Sequence, residues 1–394
     1  MKEIHSDINI IGGGLIGAAC AISLSKLGYK ITILEKNPAF SLKKNYIDNR
    51  TVAISEGTKF FFDRLDLWKE IKNYSQPIKK ISVIDRNTYN LLEFDNVRRT
   101  SNLGYIIKNT DLINVLHNKI NKQKNIKIFN KAIIDGFEIK DNLIKTNLNN
   151  LSVISSLNVA ADGKNSFVRK KYKTPIFFKD YKKTALVVTF THSKNHEGSA
   201  FEFFYKSGPL AILPMKRLNR NFESSIVWTY QNNYLKELMK MDEKKIISIL
   251  NTKTQLCVGN IIKINSKQIF PLTAHLNTKF NEEKTIYVGD AAHSFHPIAG
   301  QGWNLGMDDV DSLNKLIKKY KLLGLEPGDS WFCNEYHSMN YFKAYRLYQI
   351  TDKLDKIFRL QNPLVYYGRI YGLNLIQNNK KIKNIISDFA MNVN

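Results

Sequence analysis

The chain has 394 residues, 43% of them hydrophobic and 24% charged, with a net charge of +24. That length supports more than one core, and the composition excludes wholesale disorder. Cys20, Cys257 and Cys333 lie far apart with no CxxC pair, which excludes a disulfide framework or cysteine-rich zinc site and suits a reducing cytoplasm. Basic residues occur along the whole chain without a zinc-finger or RNP-like motif, so nucleic acid is not an expected partner. The apolar run 8–24 is broken by Asn9 and by Gly12, Gly13 and Gly14, and no other stretch offers about 18 uninterrupted apolar residues; no membrane span is expected.

In chain order, "SDINIIGGGLIGAACAISLSKLGYKITILEK" predicts a strand over 7–11, a helix over 15–27 stopped by Gly28, and a strand over 30–34 ending in Glu35. Gly12 permits the turn, Gly14 lets backbone approach a pyrophosphate, and Gly17 lets helix and strand pack closely. The helix start offers free N–H groups and a positive dipole end to phosphates, and Glu35 stands where a carboxylate accepts from a ribose diol. The ligand is a dinucleotide, FAD or NAD(P), and the glutamate disfavours a 2′-phosphate. A second fingerprint and a redox cysteine pair are both missing, which excludes the two-dinucleotide disulfide reductases.

"DNRTVAISEGTKFFFDRLDLW" (48–68) places Arg50 just before a helix with apolar spacing through Phe61, Leu65 and Trp68. "SSLNVAADGKNSFVRKKY" (155–172) is an apolar strand running into Asp162 and Gly163. From 185 to 230, "ALVVTF", "SAFEFFY", "LAILPM" and "SSIVWTY" alternate as strands of an antiparallel sheet, with a turn at Gly208–Pro209. Residues 232–250 read as helix, and Pro271–Leu272 returns the chain to the first domain. "TIYVGDAAHSFHPIAGQGWNLGMDDV" then opens with a strand over 285–288. Phe332, Tyr336, Met339 and Phe342 mark a long amphipathic helix, and a short helical tail ends near Met391.

Together, the fingerprint, "DNRTVAIS", "ADGKNSFVR" and "GDAAHSFHPIAGQGWNLG" resemble the single-component FAD-dependent aromatic monooxygenases of the p-hydroxybenzoate hydroxylase type, and among them the ubiquinone-biosynthesis hydroxylases. "HEGSAFEFFYKSGPLAILPM" and "SSIVW" extend the likeness to their substrate domain, so it spans about residues 7–380. The resemblance implies that Asp290 binds the ribityl hydroxyls of FAD. Gly300, Gln301, Gly302 and Asn304 would lie against the isoalloxazine, mainly through backbone. Pro297 would present its carbonyl to the substrate ring, Asp162 and Gly163 would support FAD and the nicotinamide cofactor, and Arg50 would sit near the FAD pyrophosphate and help dock NAD(P)H. Trp303 stands where the family commonly has leucine and reads as a packing variation.

A metal site would need His293, His296 and Asp290 or another ligand to converge. Pro297 constrains that turn, and its glycines and following helix suit a flavin instead, so no metal is expected and each histidine reads as a hydrogen-bonded structural residue. The fold expected is α/β: a discontinuous Rossmann-like FAD-binding domain (1–75, 96–175, 270–325), an inserted antiparallel-sheet substrate domain (76–95, 176–269) and a C-terminal helical region (326–394). The function implied is hydroxylation of a polyprenylated phenol in ubiquinone biosynthesis, with non-covalent FAD, NAD(P)H as transient reductant and dioxygen, through a flavin hydroperoxide. Related flavoproteins that epoxidise alkenes or reduce prenyl chains, and a non-catalytic FAD-binding subunit, are the alternatives. The implied setting is cytoplasmic, peripheral on the inner face of a membrane, beside a ubiquinone-biosynthesis complex. The basic, aromatic-bearing C-terminal end is the candidate contact.

Overall fold

The computed structural model describes residues 2–38, 48, 50–95, 102–218, 221–296, 300–360 and 362–391. Its first layer is a six-stranded sheet in the order Asn281–Glu282, Thr285–Tyr287, Leu157–Ala160, Ile8–Ile11, Ile31–Glu35, Ile126–Asn130, parallel except for the edge hairpin. The central strands are apolar runs buried on both faces, as parallel strands sandwiched between layers must be. The Leu15–Ser25 and Gln301–Leu322 helices pack against one another over this sheet, and the small Ala18, Ala19 and Ala21 let the first helix lie close. A four-stranded sheet (Lys2–His5, Leu151–Ser155, Leu143–Leu148, Ile134–Lys140) and a three-stranded sheet (Thr51–Ile54, Gly104–Lys108, Gln76–Ile78) flank it.

The second layer is an eight-stranded sheet: His293–Ser294, Ile261–Asn277, Ile176–His192, Asn221–Gln231, Gly208–Leu218, Ser199–Tyr205, Lys80–Asp85 and Leu91–Asp95. It is antiparallel except at one place: Ser199–Tyr205 pairs in parallel with Lys80–Asp85, a strand delivered from earlier in the chain. Its outer face carries Phe203, Leu210, Ile212, Ile226 and Trp228, which pack under the helices Asn232–Lys240 and Glu243–Val258 in a core of their own.

Several local expectations shift. Arg50 enters a strand, Thr51–Ile54, before the Glu56–Arg64 helix begins, because Ser55 caps that helix by accepting the Thr58 amide at 3.3 Å. The hairpin turn falls at Lys206–Ser207, with Gly208 already opening the strand. The helix expected over 232–250 is two helices, because Asp242 accepts the Lys245 amide at 3.0 Å and starts a new one. Pro271 lies inside the long Ile261–Asn277 strand; one neighbour pairs only at His275 and Leu276, so that side is an edge where a missing N–H costs nothing. The tail is likewise two helices, Pro363–Asn378 and Lys380–Met391, following the 30-residue helix Ser330–Arg359. No helix among the described residues is long and apolar enough to cross a membrane.

Candidate active site

The glycine turn is built as the fingerprint requires. Gly12 has φ +98°, and a Cβ there would lie 2.5 Å from the Ala161 carbonyl oxygen. A Cβ on Gly17 would collide with the Gly12 carbonyl, whereas one on Gly14 meets nothing within 4 Å. The turn is therefore tight against protein on one side and open on the other. No side chain caps the Leu15–Ser25 helix that follows. Glu35 is buried, and its oxygens accept the Gly13 and Asn37 amides, each at 2.8 Å. Its carboxylate braces the turn directly, a duty its place at the strand end did not announce.

The DG and GD motifs meet beside this turn. Asp162 accepts the Phe167 and Val168 amides at 2.7 and 3.1 Å, and burial pushes its carboxyl up in spite of them. Gly163 has φ +77° with open space where a Cβ would stand. Arg169, buried, donates to His275 Nε2 at 2.9 Å, to the Ala291 carbonyl at 3.1 Å and to the Lys164 carbonyl at 2.6 Å, clasping the two loops together. Burial first, then the Arg169 charge, pushes His275 down to about 3, so its ring is the neutral acceptor this contact needs. Asp290 is open to solvent yet walled by protein; burial raises its carboxyl against the opposing field of His293, Lys164 and Arg50.

Gly300, in the left-handed region at φ +61°, turns the chain into the Gln301–Leu322 helix, whose start has no side-chain cap. Asn304 is a clamp. Its Oδ1 accepts from the Ser55 amide and Thr58 Oγ1, both at 3.0 Å, and its Nδ2 donates to the Ala53 and Gly300 carbonyls at 2.8 and 3.3 Å. The Gln301 side chain turns outward and donates to the Ala390 carbonyl of the last helix at 3.0 Å. Gly302 sits near Phe295, and Trp303 packs against Phe62 with ring centroids 6.2 Å apart. Pro297 lies outside the described residues.

The two histidines part ways. His293 donates from Nε2 to Asp309 at 2.7 Å, as a structural residue should. His296, expected to be hydrogen-bonded as well, is buried with neither ring nitrogen so partnered among the described residues. It stands edge-on to Tyr181 at 4.9 Å, with Nε2 3.9 Å from the Asp355 carboxylate that also pairs with Lys183 and Arg359. Packing against the Ser330–Arg359 helix placed it there, which motif spacing does not reveal. Burial pushes its imidazole down to about 4.

Arg50 makes a bidentate pair with Asp48, Nε at 2.8 Å and Nη2 at 2.6 Å from its carboxylate, and its guanidinium lies over Phe270 at 5.4 Å. Phe270 belongs to the inner face of the eight-stranded sheet. The row beside it runs Gln268, Val187, Val227, Ala211, Glu202, Val83 in register across six strands. Val227, Ala211, Glu202 and Val83 stay half-exposed although the layer is covered, so they line an internal cleft. Sequence reasoning passed over Glu202; its signal was a single carboxylate within "SAFEFFY", in phase with Ala200 and Phe204 and out of phase with Phe201 and Phe203.

Residues 5–327 match the FAD binding domain family. The chain belongs to that family. It is 28% identical over 388 residues to ubiquinone hydroxylase UbiL of Rhodospirillum rubrum, covering 98% of this chain and 89% of that protein. It is 27% identical over 434 residues to the mitochondrial ubiquinone biosynthesis monooxygenase COQ6 of Drosophila melanogaster, covering 98% and 90%. p-Nitrophenol 4-monooxygenase PnpA of Pseudomonas putida superposes with a TM-score of 0.80 at 16% identity, covering 100% and 99% of the two chains, and shares the fold. The protein is a flavin-dependent monooxygenase. The residues present fit FAD: an open glycine turn and two uncapped helix starts offer N–H groups, and Asp290 offers an accessible carboxylate between them.

Proposed function

We propose that the protein hydroxylates the aromatic ring of a polyprenylated phenol in ubiquinone biosynthesis, using dioxygen and NAD(P)H as transient reductant. The observation that carries this reading is the row of small, half-exposed apolar residues Val227, Ala211 and Val83 on the inner face of the eight-stranded sheet, beside the Phe270 ring that Arg50 covers, a surface suited to a flat apolar ring. The ubiquinone hydroxylases among its relatives supply the pathway.

FAD, held without a covalent bond, supplies the electron and oxygen transfer when bound. The chain holds, orients and dries. Gly12, Gly14, Gly17 and the Leu15–Ser25 helix start take the pyrophosphate, Glu35 the ribose and Asp290 the ribityl hydroxyls. Gly300, Gln301, Gly302 and Asn304 bring backbone and a positive helix end to the ring system, where it stabilises negative charge. Asp162 and Gly163 support both nucleotides, and Arg50 docks NAD(P)H. The substrate domain comprises 76–95 and 176–269, inserted into an FAD-binding domain of 1–75, 96–175 and 270–325, with 326–394 as the helical region. A polyprenyl tail resides in a bilayer, so the protein docks peripherally on the cytoplasmic face of a membrane, where a biosynthetic complex is a further partner.

The test is NAD(P)H oxidation by the cofactor-loaded protein, with and without a prenylated phenol, with the product identified by mass spectrometry. A phenol-stimulated rate and a product heavier by one oxygen on the ring are expected. An epoxide or a saturated prenyl chain would assign one of the related chemistries, and no stimulation would leave a non-catalytic FAD-binding subunit.

A further inference from the structure

We infer that Glu202 is the catalytic base that takes the phenolic proton of the substrate ring. The inference rests on the phenol-hydroxylase reading above and deepens it.

Glu202 sits mid-strand, paired with Ala211 on one side and Val83 on the other. Strand alternation puts it on the inner face with Ala200 and Phe204. Ala200 belongs to a cluster with Ile78, Ile106 and Met215, which seals the sheet against the three-stranded sheet. Phe204 stacks on Phe358 at 3.8 Å and packs with Leu92 and Leu373, which seals it against the C-terminal helices. Glu202 lies between these two seals, in the gap they leave open. Among the described residues its carboxyl has no hydrogen-bond or ion-pair partner, yet its side chain stays half-exposed. A half-exposed carboxylate without a partner, set on an apolar floor between two sealed clusters, has no structural duty to perform.

The charged groups facing this region are held elsewhere. Asp85, two residues further along the adjoining strand from Val83, pairs with Arg369 at 3.1 Å. Arg50 pairs with Asp48, and Lys183 and Arg359 pair with Asp355 near His296. Asp290 lies with Lys164 at the cofactor loops. None of these sets the Glu202 titration: burial alone pushes it up to about 8. Water in the open cleft softens that shift, and an apolar ring seated over the floor expels the water. A base with such a value lies closer to a phenol, about 10 by the tyrosine reference, than an ordinary carboxylate does. It is also near the operating pH, where general bases work best.

In the step itself the phenol O–H bond breaks and a carboxyl O–H bond forms on Glu202. The electron pair stays on the phenolate oxygen and enriches the ring carbons ortho and para to it. No oxidant or reductant is consumed.

Glu202→Gln and Glu202→Asp should be compared with wild type in the cofactor-loaded protein, using a short-chain prenylphenol. Wild-type kcat/KM should rise with pH along a limb above the ordinary carboxylate range, as a carboxyl raised by burial requires. Glu202→Gln should lose that limb and about 10²-fold in rate, while binding FAD normally. Glu202→Asp should restore part of both. Infrared difference spectra should show a protonated carboxyl band disappearing along the same limb in wild type and missing from Glu202→Gln. A Glu202→Gln enzyme that keeps its rate and its alkaline limb overturns the inference alone. A wild type that never responds to the phenol overturns the underlying reading and the inference with it.

Discussion

His293 Nε2 donates to Asp309 Oδ2 at 2.7 Å, and the same oxygen accepts the Gly289 amide at 2.9 Å. Both side chains are fully buried. One carboxylate on the Gln301–Leu322 helix therefore holds the GD turn and the histidine that follows it, and sets where Asp290 points. Asp309→Asn should cost about 1.5–3 kcal/mol, the range for a hydrogen bond to a charged group, since the amide keeps one acceptor but loses the charge. Urea unfolding of the cofactor-free protein would measure it. A cost below 0.5 kcal/mol would show that the turn is held by packing.

Asp290 should govern cofactor affinity without governing the fold. Its carboxylate is accessible and its chain neighbours Gly289 and Ala291 are buried, so truncation leaves the turn intact. Asp290→Ala should weaken FAD binding about ten- to a hundredfold, equivalent to about 1.5–3 kcal/mol, read by flavin fluorescence on titration. Purified wild type should be yellow and release its flavin on denaturation.

Arg50 should matter more for reduction than for oxygen transfer. Arg50→Ala should slow anaerobic flavin reduction by NAD(P)H in stopped flow while a chemically reduced enzyme still hydroxylates; normal reduction with failed hydroxylation contradicts this role. Its partner adds a pH signature. Burial pushes Asp48 up, but Arg50 and Asn109 together hold its carboxyl below the ordinary carboxylate range. A depressed carboxylate contributes stability that is present above the unfolded value of about 3.9 and is lost as pH falls through the folded one. Asp48→Asn should therefore be less stable than wild type at pH 6 and close to it at acid pH, checked by urea midpoints across that range.

The C-terminal helices present an exposed apolar stripe. Leu364, Tyr367, Tyr371 and Leu375 lie along one face of Pro363–Asn378 at 83, 59, 74 and 59% exposure, with Lys380, Lys381 and Lys383 just beyond. Each lysine near an anionic surface contributes about 1 kcal/mol, and the apolar stripe adds shallow insertion. Liposome flotation should show binding to anionic vesicles that high salt reverses. The double variant Leu364→Ser with Tyr371→Ser should lose it while turning over a water-soluble phenol at the wild-type rate. Equal binding by the variant would place the contact elsewhere.

Whatever depends on neighbours a few residues apart was written in the chain. The glycine turn, the helix it opens, the strand ending in Glu35 and the GD turn follow from local sterics and period, and the structure forms each of them. The break at Asp242 is equally local, an N-cap that the reading of 232–250 as one helix passed over. Tertiary structure alone decided which partner each face would meet. Alternation in "SAFEFFY" separates Glu202 from Phe201 and Phe203 but does not say which face is the cleft. That required Lys80–Asp85 to pair in parallel beside it and two helical layers to cover opposite sides. Arg169 likewise reaches the Ala291 carbonyl across 122 residues, and His296 lost its expected hydrogen bond to the packing of a helix that begins 34 residues later, at Ser330. Periodicity encodes the direction of a side chain, whereas the group it faces is chosen by the long-range packing that buries most apolar surface at once.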